Sequence, residues 1–151
     1  VSWDGSVVLA KHLEKNADLV RNKRILELGA GTGIAGLASW LLEASEVTLT
    51  DLSYTLENLR ANVQSTIEAN EFPSGTVNVS VTMLDWTDPK TYPPRHHYDV
   101  LLGADIVWLE HLVGPLVRTI AHLLLGSDST MLLAHQVSCR SHKMVLLHTV
   151  N

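Results

Sequence analysis

A single cysteine, Cys139, stands among the 151 residues. That scarcity excludes an internal disulfide framework and a zinc site built on cysteine. No apolar run is long enough to span a bilayer, and the opening residues lack a signal-peptide layout. Lys and Arg are nowhere clustered, and the net charge is −5, so nothing draws the chain electrostatically to nucleic acid. There is no internal repeat and no low-complexity tract. What is present, 46% hydrophobic and 18% charged residues, is the composition of a folded chain. The length suits one domain with a proper core, read here as residues 1–151. The expected setting is intracellular, the cytoplasm favoured over the nucleus, with no membrane or nucleic-acid partner. Oligomeric state is not legible. Val1 is not an initiator Met, and Cys139–Val150 reads as a helix with no cap or following strand. Both features make a segment of a longer chain the expectation.

Strands and helices alternate. Residues 6–15 carry a helical stripe at Val8, Leu9 and Leu13, with Ser6 as a candidate cap. Arg24–Leu28 reads as a strand, and Ile34–Glu43 as a buried helix, apolar all round with Trp40 in the core. Glu46–Thr50 is a second strand, followed by an amphipathic helix over 55–70 with Leu56, Leu59, Val63 and Ile67 on one face. Pro73-Ser74-Gly75 breaks the chain. Val77–Leu84 and Tyr98–Ala104 read as strands, Leu109–Leu125 as a helix with a local kink at Pro115. Gly126-Ser127-Asp128 is a turn and Thr130–His135 a last strand. Such alternation predicts an α/β fold, a mostly parallel sheet with helices on both faces.

Ligands of such sheets sit beyond the carboxyl ends of the strands. Gly29, Asp51, Asp85-Trp86 and Asp105 fall at the four successive ends. The first of these, Glu27-Leu28-Gly29-Ala30-Gly31-Thr32-Gly33, is a strand, a glycine-rich turn and a helix start. A unit of that kind offers backbone N–H groups and a helix dipole to a nucleotide-like cofactor. Two patterns compete for it. Gly31-x-Gly33-x-x-Gly36 matches a dinucleotide fingerprint, but that fingerprint places its first glycine directly after the strand, where Gly29 stands. Counted from Gly29, its third glycine would fall on Ile34. Glu27 also sits poorly beside a pyrophosphate and well beside an ammonium. The phosphate-free S-adenosylmethionine is therefore preferred over NAD. Asp51, 18 residues past Gly33, suits a carboxylate accepting from two ribose hydroxyls, or a cap of the following helix. Asp85-Trp86 could hold and cover an adenine ring, or be a turn Asp and a core Trp.

Together these segments resemble the class I, seven-strand methyltransferases, and within them the family 16 lysine methyltransferases. The resemblance covers essentially the whole chain. It rests on Trp3-Asp4-Gly5, the Glu27–Gly33 loop, Thr50-Asp51-Leu52, Leu84-Asp85-Trp86 and Gly103-Ala104-Asp105-Ile106-Val107-Trp108. It implies a Rossmann-like three-layer sandwich and S-adenosylmethionine as cofactor. Trp3, Gly29, Ala30, Gly31, Asp51, Trp86 and Ala104 should then contact the cofactor, with Glu27, Leu52 and Asp85 as neighbours. It further implies methyl transfer to a lysine of a protein substrate by direct displacement. The family's Asp-x-x-Tyr/Phe motif falls on Asp105-Ile106-Val107-Trp108, at the mouth where the accepting amine enters. Asp105 is the candidate proton acceptor or electrostatic partner there, with a cap of the next helix as the alternative. Trp108 can wall the channel and attract a cation but lacks a phenolic hydroxyl. The family's closing β-hairpin is expected to be missing from this segment.

Two other readings stay open: a catalytically silent cofactor- or partner-binding module, and a small-molecule N-methyltransferase on the same fold. No metal site is expected. His96-His97 read as a solvated loop pair, while His135, His142 and His148 lie at no ligand spacing. Cys139 reads as a buried or helix-facing thiol.

Overall fold

Alternation along the strands sorts the core into two halves. In β1 (Arg24–Leu28), Ile25 packs with one cluster of buried side chains, and Leu26 and Leu28 with another. The first cluster lies under α1 (Asp4–Lys15), α2 (Ile34–Leu41) and α3 (Leu56–Ala69), which contribute Leu9, Leu13, Leu37, Trp40, Leu59 and Val63. The second lies under α4 (Glu110–Leu124), through Leu116 and Leu123. The result is three layers, helices on both faces of one sheet. The computed structural model describes residues 4–70, 78–95, 97–124, 129–139 and 142–150, with the backbone alone described for 137–139 and 142–150. Trp3, Pro73-Ser74-Gly75, His96 and Gly126-Ser127-Asp128 lie outside the described residues.

The other strands are β2 (Glu46–Asp51), β3 (Val79–Met83), β4 (Val100–Ala104), β5 (Thr130–Cys139) and β6 (His142–Val150). They lie in the order β3-β2-β1-β4-β5-β6. The pairs from β3 through β5 are parallel. The chain winds outward from β1 through β2 to β3, then crosses back to place β4 on the other side of β1. That reversal opens a crevice between the carboxyl ends of β1 and β4, where ligands of such sheets bind.

The α/β class and the parallel sheet agree with the sequence, but the chain's end does not. Cys139–Val150 is not a helix: β5 runs on to Cys139 and β6 returns antiparallel to it, from Cys139↔His142 to Met131↔Val150. The helix expected there is thereby corrected to a single sixth strand paired with β5 itself; a hairpin beyond the fifth strand would need two further strands, and one is described. The apolar run Met144–Leu147 is too short for periodicity to distinguish a strand from a buried helix. Smaller corrections follow from packing. Ser6 lies inside α1 and does not precede it, and Val8 is exposed, the buried stripe being Gly5, Leu9 and Leu13. His97, read as a solvated loop residue, pairs with Glu46 at 3.1 Å and meets Tyr98 edge-on.

Candidate functional site

The crevice holds a cavity of about 260 Å³. Its floor is the turn after β1, where Gly29 and Gly31 both take left-handed backbone, with φ of 60° and 55°. Glycine adopts this region without steric cost. At Gly31 a Cβ would meet nothing within 4 Å, so the bare backbone faces open space that a ligand can approach. Ala30 and Thr32 complete this wall.

Asp51 and Leu52 reach the cavity from the end of β2. The Asp51 carboxylate is already oriented: Oδ2 accepts the Gly31 N–H and Oδ1 the Leu52 N–H, both at 2.7 Å. It does not cap α3, whose start has no side-chain cap. Its remaining lone pairs are free to accept from hydroxyls of a ligand, in the charge-assisted manner expected of a ribose clamp.

Beyond β3, Leu84 is buried and Asp85 and Trp86 are half-buried along the same cavity. Thr87 donates to Asp85 Oδ1 through its hydroxyl at 2.6 Å and its N–H at 2.8 Å. Those bonds hold the Asp85 carboxyl below the usual carboxylate range. Tyr92 donates its hydroxyl to the Trp86 carbonyl at 2.7 Å and so fixes the indole's backbone. From the end of β4 come Ala104, Asp105, Ile106 and Trp108, the last 65% exposed at the mouth. The Asp105 carboxylate does not cap α4. It accepts the N–H of Gly5 and of Gln136.

Glu27 is the site residue that the fold takes elsewhere. Period-2 alternation turns it to the α2 side of the sheet, away from the cavity lining. It is 1% exposed, and Oε2 accepts the Gly36 N–H at 2.9 Å. Burial pushes its carboxyl up to about 8, against the lowering effect of the Gly36 bond. Glu27 thus caps the first turn of α2 from within. One of the helix-start N–H groups is thereby satisfied from inside the protein.

Of the predicted site, then, Gly29, Ala30, Gly31, Asp51, Leu52, Asp85, Trp86, Ala104, Asp105 and Trp108 converge on one cavity. Trp3 lies outside the described residues, and Glu27 sits behind the loop. Sequence reasoning passed over Ser6, Thr32, Tyr54, Leu84, Ile106 and Leu112, which also line it. Leu84 and Ile106 adjoin residues already singled out, and adjacency at a strand end was the available signal. Three carboxylates line the described cavity and no Lys, Arg or His does. Such a wall disfavours a pyrophosphate and favours a cation.

Fold and site together define a chain of the class I methyltransferase type. Magnesium protoporphyrin IX methyltransferase from Synechocystis PCC 6803, solved with bound SAH, superposes with a TM-score of 0.61 at 14% identity, over 85% of this chain and 53% of that one. Protein arginine methyltransferase 10 of Arabidopsis thaliana gives a TM-score of 0.61 at 18% identity, over 82% of this chain and 33% of its own. Both likenesses are of fold. In sequence, protein N-lysine methyltransferase METTL21A of Danio rerio is 43% identical over 141 residues, 93% of this chain and 60% of the relative. EEF1A lysine methyltransferase 3 of Mus musculus is 38% identical over 136 residues, 89% of this chain and 54% of the relative. A family model described as lysine methyltransferase matches residues 1–148. The chain belongs to the lysine methyltransferase family, and it spans 60% and 54% of the length of these two relatives.

Proposed function

We propose that this chain binds S-adenosylmethionine in the cavity between β1 and β4 and serves methyl transfer to a lysine side chain of a protein. The observation that carries the reading is the convergence of four strand ends on a cavity lined by carboxylates and bare glycine backbone, without a cation among the described residues. When bound, S-adenosylmethionine supplies a methyl group activated on a sulfonium. The chain's own residues do the holding. Gly29 to Gly31 admit the ligand against backbone, Asp51 accepts from the ribose hydroxyls, and Trp86 with Leu84 covers the base. Trp108 walls the mouth with an indole whose face attracts an ammonium. Alignment and exclusion of water are the protein's contribution to the rate. The matched relatives are named as protein-lysine methyltransferases, which favours a lysine acceptor over a small molecule.

Calorimetry with S-adenosylhomocysteine and NAD, side by side, tests the cofactor. The former should bind and the latter should not, and the reverse overturns the reading. Asp51→Ala should weaken S-adenosylhomocysteine by about 1.5–3 kcal/mol, the loss of charge-assisted hydrogen bonds. For the acceptor, the intact protein with labelled methyl donor and cell lysate should label a protein band on lysine. Intact cofactor binding with no labelled band would leave a silent binding module instead.

A further inference from the structure

Asp105 closes β4 with φ of 53°, left-handed backbone in a residue that is not glycine. Such a conformation persists where the surroundings enforce it. Here the surroundings are two backbone amides from distant parts of the chain. Oδ2 accepts the Gly5 N–H at 2.8 Å, and Oδ1 accepts the Gln136 N–H at 2.7 Å. Its own N–H donates to the Ala134 carbonyl at 2.9 Å. One residue thereby ties the first turn of α1, the end of β4 and the middle of β5.

The Gly5 side of this clasp has a clear cause. The first N–H groups of a helix have no partner within it, and a carboxylate at that end is favoured by the dipole as well as the bond. The fit is close enough to require glycine, since a Cβ at Gly5 would lie 2.5 Å from Asp105 Oδ2. The clasp also borders the cavity on both sides. Ser6, next to Gly5, is in one wall, and Ile106 and Trp108, just past Asp105, are in another.

We propose that Asp105 is a positioning residue, whose carboxylate sets α1 and β5 against the end of β4 and so fixes Ser6 relative to Ile106 and Trp108. It is not the proton acceptor for the methyl-accepting amine. Each of its oxygens accepts a backbone N–H, which holds the carboxylate between α1 and β5, and the proton of the incoming ammonium leaves to water through the open mouth beside Trp108. This inference rests on reading the cavity as the methyl-donor site.

The test uses the intact protein with Asp105→Asn, Gly5→Ala, Asp105→Ala and the Gly5→Ala/Asp105→Ala pair. Asparagine keeps one acceptor but sets an NH₂ against an N–H. Asp105→Asn should lose about tenfold or more in S-adenosylhomocysteine affinity, the scale of one bond to a charged group. Hydrogen exchange at the Gly5 and Gln136 amides should quicken, and the pH profile of the remaining methyl transfer from labelled donor to lysate protein should keep its shape. Gly5→Ala should reproduce the affinity loss with Asp105 present, yet add nothing in the Asp105→Ala background, where its Cβ has room. If Asp105→Asn does not fold, Gly5→Ala and the pair decide. Unchanged affinity and amide protection in Asp105→Asn, or loss of a limb of its pH profile, would overturn the proposal. Wild type that binds no S-adenosylhomocysteine would overturn the methyl-donor reading instead, and exchange at the two amides would still judge the clasp.

Discussion

At Glu27 a carboxyl is folded into a place where its charge is unwelcome. Its ordinary value is 4.5 and burial holds it up at about 8 in the folded chain. Between those values the unfolded chain has released a proton that the folded chain retains. Stability therefore falls as pH rises through that window and levels off above it. Glu27→Gln keeps an acceptor for the Gly36 N–H and removes the titration. Denaturant curves from pH 5 to 9 should then lose a slope totalling about 4 kcal/mol, at roughly 1.4 kcal/mol per pKa unit. An equally steep decline in Glu27→Gln would locate the titrating group elsewhere. Asp51 is the contrasting case. Half-buried and held by two backbone amides, it faces the cavity. Both acids were expected at the site, Asp51 as a contact and Glu27 as a neighbour, and the direction of each side chain puts one at the cavity and the other under α2.

At the scale of elements, the strands and helices were legible where a period was long or a breaker sharp. Arg24–Leu28 forms β1 with the predicted bounds, since Asn22 before it and Gly29 after it interrupt a run of extended, apolar residues. The helix over 55–70 shows its stripe at Leu56, Leu59 and Val63, all buried. Pro115, where a local kink was expected, lies within one helix, α4, with Thr119 Oγ1 donating to the Pro115 carbonyl at 3.1 Å. Proline has no N–H for the carbonyl of His111, four residues earlier. Pro115→Ala restores that donor and should raise stability by about 1–3 kcal/mol. The expected sign is a higher denaturant midpoint at unchanged slope. A lower midpoint would show that packing of the ring outweighs the missing bond.

For the whole molecule, the decisive feature is the strand order. β1 and β4 are neighbours only because the chain crosses back after β3, and the cavity exists because of that crossing. β6 matters at the other end of the sheet, where it covers the edge of β5 along its length. Ending the chain after Cys139 should leave that edge bare and drive aggregation. Size-exclusion chromatography should show soluble aggregate in place of the parent species, and an unchanged elution profile would show that β5 needs no cover.

Local chemistry settled much in advance. Glycines at 29 and 31, acids at 51, 85 and 105, and an aromatic at 86 stand at strand ends, because alternation and turn residues mark those ends in the sequence itself. Ligand class was legible from the same stretch through the glycine register, whereas the argument from Glu27 beside the ligand was not met, since Glu27 lies behind the loop. What no sequence pattern held was the third dimension of each contact. Glu27 turns inward because a strand's side chains alternate and the side it faces is packed against α2. Asp105 meets Gly5 because the sheet order sets the start of α1 beside the end of β4, 100 residues further along the chain. Periodicity and spacing report on neighbours in sequence. Those two contacts join residues whose proximity only the packed sheet and its helices create.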